Sequence, residues 1–93
     1  MHATFLLGNL HCSDKAKKAL NRTPLDLIAR HAVNDHGIIS KQEAQQNVVA
    51  MEYCGEIISR YLIDPTKPKR GHVLVITTAS WGDTHVQLES EKP

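Results

Sequence analysis

The sequence is poor in the residue types that mark the most recognisable protein classes. Aromatic residues make up 4% of the 93 residues, and there are only two cysteines. Two cysteines are too few for a disulfide-stapled scaffold, and few aromatics offer little base stacking for single-stranded nucleic acid. Eleven Lys and Arg against ten Asp and Glu leave a net charge of +1. This balance argues against strong non-specific attraction to nucleic acid or to an anionic membrane.

Long apolar runs are also missing. The longest, residues 73–76, has four residues, whereas a membrane-spanning helix needs about 20. The first four residues carry no charged segment ahead of an apolar core, so we expect no signal peptide, no membrane partner and a cytoplasmic location. The length suits one domain, residues 1–93. The polar residues 89–93 are expected to form a flexible tail.

Capping signals predict three helices in the first part of the chain. Ser13 can accept hydrogen bonds from the first free amides of a helix over about residues 14–21. Thr23 as the cap and Pro24 at the first helical position predict a second helix, residues 24–33. Its apolar residues at helical spacing are Leu25, Ile28, Ala29 and Ala32.

The third helix has the clearest start signal. Ser40 with Glu43 three residues later forms a capping box, which predicts a helix over residues 41–54. Gly55 is expected to end this helix, and Cys54 is expected to be a small core residue. The predicted inner stripe comprises Ala44, Asn47, Val48, Met51 and either Ala50 or Cys54.

Strand signals follow the third helix. Residues 57–63, 73–78 and 84–88 are rich in β-branched or alternating apolar residues. A proline-containing loop and a short turn separate them, which predicts an antiparallel meander. Residues 4–7, ended by Gly8 and a following Asn, form a fourth extended segment that either joins the sheet edge or is an arm.

Neither the helices nor the strands can bury their apolar faces alone. We therefore predict an α+β, two-layer domain with the order β-α-α-α-β-β-β. Its antiparallel meander of three to four strands would be covered on one face by the helices of residues 24–33 and 41–54. The central strand is apolar on both sides, so the opposite face is expected to expose Val or Leu side chains. That face, or the free edge of the last strand, would support a homodimer.

The order of these segments also resembles a known family. The residues that carry the resemblance are Phe5, Leu7, Gly8, Ala16, Ala19, Leu20, Leu27, Ile28, Ala29, Arg30, His31, Asp35, Gly37, Asn47, Ile58, Ser59, Tyr61, Val75, Ile76, Thr77, Thr84, Val86 and Leu88. In order and spacing they are similar to a small family of uncharacterised proteins borne by plasmids, phages and other bacterial mobile elements. That family has the pattern Leu-Ala-Arg-His, Gly-Asp-Trp-Gly, Ser-x-Tyr and Ile-Thr-Glu.

What the resemblance implies is a context, an accessory gene of a mobile element, and no established activity. The chain departs from the pattern at several positions. His36 stands where the family has Trp, Asn34 replaces a Gly, and Thr78 replaces the acidic residue after the Ile-Thr pair. A site built on that acidic residue is therefore not expected here.

The densest polar cluster lies at the predicted end of the second helix and comprises Arg30, His31, Asp35 and His36. Arg30 can bind a phosphate or a carboxylate. His31 can act as a base or ligand that Asp35 orients. The alternative is that Arg30 and His31 favour the negative end of a helix and that Asp35 pairs locally.

The six histidines and two cysteines fit no metal-binding motif. There is no Cys-x-x-Cys pair, and His31 and His36 are five residues apart rather than four. Cys12, expected to be half-exposed, and Cys54 lie in no nucleophile motif. The glycines are isolated and form no phosphate loop. We therefore predict no metal and no cofactor.

Two basic clusters and one tryptophan complete the candidate binding residues. The clusters are Lys15, Lys18 and Arg22, which share a helical face, and Lys67, Lys69 and Arg70 in the loop. They can contact a phosphate backbone, or they can be an ordinary solvated surface. Trp81, beside a glycine in a predicted turn, either folds back over the sheet or anchors an interface.

Three functions remain open at this point. The first is a non-enzymatic interaction protein that binds a host or element-encoded macromolecule, with host-defence inhibition of the anti-CRISPR or anti-restriction type as one case. The second is a nucleic-acid-associated accessory or regulatory protein that uses the two basic clusters. The third is a small metal- or His-dependent hydrolase around His31 and Asp35. Basic clusters on one face would favour nucleic acid, and clusters on opposite faces would favour a protein partner.

Overall fold

A computed structural model describes residues 5–91. The predicted α+β architecture and the order β-α-α-α-β-β-β are confirmed. The elements are β1 (Asn9–Cys12), α1 (Asp14–Leu20), α2 (Leu25–Ala32), α3 (Lys41–Tyr53), β2 (Ile57–Leu62), β3 (His72–Thr77) and β4 (Asp83–Leu88). Short 3₁₀ turns lie at Pro68–Arg70, Ala79–Trp81 and Glu89–Glu91. No helix of residues 5–91 is both long enough and apolar enough to cross a bilayer.

Two of the three predicted helix starts carry the expected caps. The Ser13 hydroxyl accepts a hydrogen bond from the amide of Ala16 at 3.1 Å. Ser40 and Glu43 form both bonds of the capping box. Thr23 does not cap α2, because Pro24 occupies the cap position and no side chain bonds the first amides there.

The sheet is mixed, with the strand order β1-β4-β3-β2. The antiparallel meander of β2, β3 and β4 is as predicted, whereas β1 pairs with β4 in parallel. The first strand was predicted too early. Gly8 has a φ of 65°, and a Cβ there would lie 2.1 Å from the carbonyl oxygen of Gly82. The chain therefore bends at Gly8 close to the turn before β4, and the strand begins after that bend. Residue 4 lies outside the described residues.

One face of the sheet holds the main core. The buried residues of this cluster are Ala16, Leu20, Leu27, Ile28, Tyr61, Val73, Val75 and Val86. They come from α1, α2 and the three meander strands, so two helices cover this face as a layer. Leu25 and Ala29, predicted on the inner face of α2, are exposed instead. Leu27 and His31 take the inward positions, because the sheet offers His31 hydrogen-bond partners.

The third helix packs along β2 at the edge of the sheet. Ala50 packs with Phe5 and Ile57 in a second, smaller core cluster. Val48 was predicted to face inward, but it is 60% exposed. Cys54 was predicted as a core residue, but it is exposed and ends the helix with a φ of 53°. The left-handed turn thus falls one residue before Gly55.

The opposite face of the sheet differs from the prediction. Leu74 and Ile58 point to this face and are buried, whereas Ile76 and Leu62 on the same face are half-buried, so this face shows less aliphatic surface than expected. Its other residues include Arg60, His72, His85 and Gln87. The outer edge of β4 is paired with β1. The last-strand edge is therefore closed as a dimer contact.

Residues Glu89–Glu91 of the expected tail form a short 3₁₀ turn. Oε1 of Glu91 accepts hydrogen bonds from the Ser13 hydroxyl at 2.7 Å and from the Leu88 amide at 2.8 Å. Glu89 accepts a bond from Arg60 at 2.6 Å. Both carboxylates thus have partners in other elements, and the flexibility of residues 89–93 stays a prediction.

Candidate functional site

Arg30 and Asp35 form a surface ion pair at the end of α2. Nε of Arg30 lies 2.7 Å from one carboxylate oxygen of Asp35, and Nη2 lies 3.3 Å from the other. This pairing lowers the pKa of Asp35. The guanidinium carbon also lies 4.6 Å from the ring centroid of Tyr61, whose hydroxyl donates to the Asp35 carbonyl oxygen at 2.6 Å. Asp35 thus pairs locally, and the hypothesis that it orients His31 is wrong.

His31 points into the molecule rather than to its surface. Its side chain is fully buried, with Nδ1 2.6 Å from the Ser59 hydroxyl and Nε2 2.9 Å from the Thr77 hydroxyl. Burial, followed by the neighbouring His36, lowers the pKa of His31 to about 3. His31 is therefore neutral near pH 7, and a solute at the surface cannot reach it.

The hydrogen bonds around His31 have a fixed direction. The Thr84 hydroxyl donates to the Leu7 carbonyl oxygen at 2.6 Å, and a carbonyl can only accept. The 2.7 Å contact between Thr77 and Thr84 must then use the Thr77 proton. Thr77 consequently accepts from Nε2–H of His31. Nδ1 of His31 therefore carries no proton and accepts the hydrogen bond from the Ser59 hydroxyl.

The same donor and acceptor assignment also fixes the hydrogen bond of His36. Since the Ser59 proton is given to His31, Ser59 accepts from Nδ1–H of His36 at 2.7 Å. Nε2 of His36 is then the unprotonated nitrogen. Burial lowers the pKa of His36 and favours this neutral form. The half-buried ring lines a cavity of about 270 Å³ with residues of α3, including Asn47 and Met51. Sequence reasoning singled out both histidines as candidate site residues. It named Ser59, Thr77 and Thr84 only as positions of the family pattern, because nothing in the linear sequence connects them to the histidines.

This series of buried, hydrogen-bonded side chains is suited to stabilising the fold rather than to nucleophilic chemistry. Ser59 lies between two imidazoles, as a base-activated serine does. Its side chain is fully buried, however, and its proton is already committed to His31. The backbone after His36 lies close against β2, since a Cβ at Gly37 would lie 2.3 Å from the Arg60 carbonyl oxygen. Ser59 is therefore not an exposed nucleophile.

Arg60 joins three parts of the molecule, and sequence reasoning did not single it out. Its guanidinium bonds both oxygens of Glu43, at 2.7 and 3.0 Å, and one oxygen of Glu89 at 2.6 Å. It also donates to the carbonyl oxygen of Ile38 at 3.1 Å. The pairing lowers the pKa of Glu43 to about 2. Because it is matched by two carboxylates, Arg60 is not a candidate for binding an anion.

The two basic clusters lie next to each other. Nη2 of Arg70 donates to the carbonyl oxygen of Ala19 in α1 at 2.8 Å. Arg22 lies beyond the end of α1 and pairs with Asp26, so it does not continue the helical face as predicted. The lysines of both clusters, Lys15, Lys18, Lys67 and Lys69, are exposed.

Trp81 is folded back rather than exposed as an anchor. Its Nε1–H donates to the Gly55 carbonyl oxygen at 2.9 Å. Its ring centroid lies 5.7 Å from that of Phe5. The half-buried ring therefore covers the connection between α3 and β2, and it is not free to anchor a partner.

An apolar surface on α3 was not anticipated. We call Gln42, Gln45, Gln46, Val49 and Tyr53 the α3 surface; with Ala50, Gly55 and Glu56 they line a shallow depression of about 490 Å³. Val49 is 46% exposed and Tyr53 is 76% exposed. The helical spacing of these residues is the sequence signal for this surface, whereas the prediction that Val48 is buried implied the opposite orientation of α3.

Two further histidines meet on neighbouring strands. The rings of His11 and His85 stack with centroids 4.6 Å apart, and Nε2 of His11 is bonded to Asp83 at 2.8 Å. No group of three or more His, Cys, Asp or Glu among residues 5–91 is placed to hold a metal ion.

Comparisons with family models, with curated proteins and with solved structures found no match to this chain.

Proposed function

We propose that the chain is a non-enzymatic interaction protein of a mobile genetic element that binds a protein partner through the α3 surface. The observation that carries the proposal is the exposure of Val49 and Tyr53 beside the shallow depression on α3. Three glutamines accompany them on the α3 surface, and among the residues that line the depression Glu56 alone is charged. Interface centres are depleted in charged residues, and tyrosine is among the residues that contribute most to binding energy.

The placement of the polar groups supports a binding role over a hydrolytic one. His31 and Ser59 are fully buried, and Arg30 and Asp35 satisfy each other at the surface. A hydrolase around His31 and Asp35 would need the two side chains to meet substrate together. His31 instead bonds Ser59 and Thr77, and Asp35 pairs with Arg30.

The resemblance to proteins of plasmids and phages supplies the biological setting of the proposal. An element-encoded protein can inhibit a host-defence enzyme of the CRISPR or restriction type by covering a functional surface. Such inhibition needs shape and apolar contact rather than catalytic groups. The protein would then act in the cytoplasm, where those enzymes meet their targets.

The test is affinity capture of bacterial host proteins by the intact chain and by surface variants. Val49→Glu places a charge in the centre of the α3 surface and should abolish capture of the specific partner. Leu25→Glu is the matched control, because Leu25 is also an exposed aliphatic residue on a helix. Equal capture by wild type and Val49→Glu would contradict the proposal.

Light scattering adds a second readout. A homodimer that Val49→Glu dissociates would identify a second copy of the chain as the occupant of the α3 surface. A homodimer that survives Val49→Glu but is lost on substitution of Ile76 would place the contact on the opposite face of the sheet.

A further inference from the structure

The two basic clusters form one continuous surface. The bond from Arg70 to the Ala19 carbonyl oxygen fixes the 3₁₀ turn of residues 68–70 against the end of α1. Apart from this bond, Arg22 and Pro65 line the same cleft of about 220 Å³. The loop before β3 and the junction of α1 with α2 are therefore held side by side.

Charge is strongly segregated onto this part of the molecule. Residues 14–26 and 64–70 hold seven of the eleven Lys and Arg but three of the ten Asp and Glu, which is a net +4. All other residues together carry −3. Glu91 is one of them, and it reaches the start of α1 through its bond to the Ser13 hydroxyl at 2.7 Å, so a net +3 remains when Glu91 is counted with this surface. Fields of this kind raise the local concentration of an oppositely charged partner.

We propose that this basic surface, made of Lys15, Lys18, Arg22, Lys67, Lys69 and Arg70, binds the phosphate backbone of a nucleic-acid duplex without reading its sequence. The proposal concerns a different face from the α3 surface and does not rest on the protein partner proposed there. The two arginines set the shape of the surface, because Arg70 bonds Ala19 and Arg22 pairs with Asp26.

The four lysines are the groups that would contact phosphates. Their side chains are exposed and make no hydrogen bond or ion pair with any residue between 5 and 91. An exposed ammonium on a flexible stem suits phosphate oxygens, which are the main contacts of sequence-independent binding.

The composition of the surface favours a duplex over a single strand. Single-stranded nucleic acid is held largely by aromatic side chains on which bases stack. Residues 14–26 and 64–70 contain no Phe, Tyr or Trp. Lysines can bind a regular array of phosphates without the help of aromatic side chains.

Fluorescence anisotropy with a labelled random-sequence duplex of about 25 base pairs tests the proposal. Four phosphate contacts predict a slope of about −3.6 for log K against log salt, and an affinity that falls about 100-fold between about 50 and 200 mM salt. The double variant Lys18→Gln/Lys69→Gln removes one lysine from each segment and should reduce the slope to about −1.8. Lys41→Gln removes an exposed lysine from α3 and should leave the slope unchanged.

Several results would overturn the proposal. These are no binding at about 100 μM protein in about 50 mM salt, a salt-independent affinity, or an equal change of slope for Lys41→Gln and the double variant. Tighter binding of a single strand would contradict the duplex, and tighter binding of poly-glutamate would point to an acidic protein instead. Thermal unfolding by circular dichroism confirms that each variant is folded. Val49→Glu should bind the duplex like wild type, which separates this result from the fate of the α3 surface.

Discussion

The side chain of Asn47 bonds both backbone polar groups of Ile58. Its amide nitrogen lies 2.9 Å from the Ile58 carbonyl oxygen, and the Ile58 amide lies 3.0 Å from its amide oxygen. A single side chain thereby takes the place of a neighbouring strand at the edge of β2. The backbone around Gly37 continues the protection, since Arg60 bonds the His36 carbonyl oxygen and the Ile38 amide. Unpaired strand edges invite association with other chains, and this edge is covered at Ile58 and Arg60.

Asn47→Ala should lower the free energy of unfolding by about 2–4 kcal/mol, because it leaves a buried amide and a buried carbonyl of Ile58 without partners. Asn47→Asp keeps the volume but sets a carboxylate against the carbonyl oxygen, so it should be nearly as destabilising. Urea unfolding measures both. Gln46→Ala, at an exposed position of the same helix, is the control. A loss below about 0.5 kcal/mol for Asn47→Ala would refute the role of these bonds.

Ile28 and Val48, both predicted to be core residues, should differ strongly in how much stability their substitution by alanine costs. Ile28 is buried in the main cluster, so Ile28→Ala should cost about 2–4 kcal/mol. Val48 is 60% exposed, so Val48→Ala should cost less than about 0.5 kcal/mol. Chemical denaturation of the two variants side by side provides the check. Similar losses in both would mean that α3 packs by a different face.

Stability should fall as the pH decreases below about 6.5. Folding holds the pKa of His31 near 3, against 6.5 for an ordinary histidine, so between these values the unfolded chain binds a proton that the folded chain does not. The free energy of unfolding therefore decreases as the pH falls, by up to about 1.4 kcal/mol per pH unit from this residue. The lowered pKa of His36 acts in the same direction.

Urea unfolding at pH 6.5 and pH 5 tests this before most carboxylates titrate. His36→Gln removes the second histidine and should leave the larger part of the dependence. Equal stability at the two pH values would contradict the buried neutral His31.

The direction of the hydrogen bonds around His31 predicts one tautomer. The proton should reside on Nε2 and be absent from Nδ1, because the series of hydrogen bonds ends at the Leu7 carbonyl oxygen, which can only accept. Nitrogen-15 correlation spectra of the histidine rings distinguish the two forms. Thr84→Val removes the donor to Leu7 at nearly constant shape and should permit the other tautomer. Observation of Nδ1–H in the wild type would show that the bonds run the other way.

Local signals predicted the element order well, since caps, glycines and periodicity act within a few residues. Ser13 and Ser40 cap helices as predicted, and the strand predicted over residues 73–78 is found at His72–Thr77. Predictions of which side faces inward were weaker. A hydropathy pattern favours Leu25 over His31 as a buried residue, yet Ser59 and Thr77 make burial of the imidazole acceptable.

The candidate site was foreseen only in part for the same reason. Arg30, His31, Asp35 and His36 are close in sequence, but the structure assigns them to separate tasks. Their real partners lie far along the chain, as does the Ala19 carbonyl oxygen that Arg70 bonds. The sequence likewise could not predict how close the two basic clusters are, because the loop and the helix that carry them are some 50 residues apart and no short-range pattern indicates their contact.

The pairing of Asn9 with Asp83 has a consequence during protein synthesis. β1 leaves the ribosome early, whereas its partner strand is made about 74 residues later, which takes about 4–15 s at ordinary elongation rates. Throughout that interval the nascent β1 has all its backbone groups unpaired, while α1, α2 and the β2–β3 hairpin can already form from local contacts. Closing the sheet is consequently a late event that joins the first and last strands. A circular permutant that fuses β4 to β1 and opens the chain elsewhere would make this contact early.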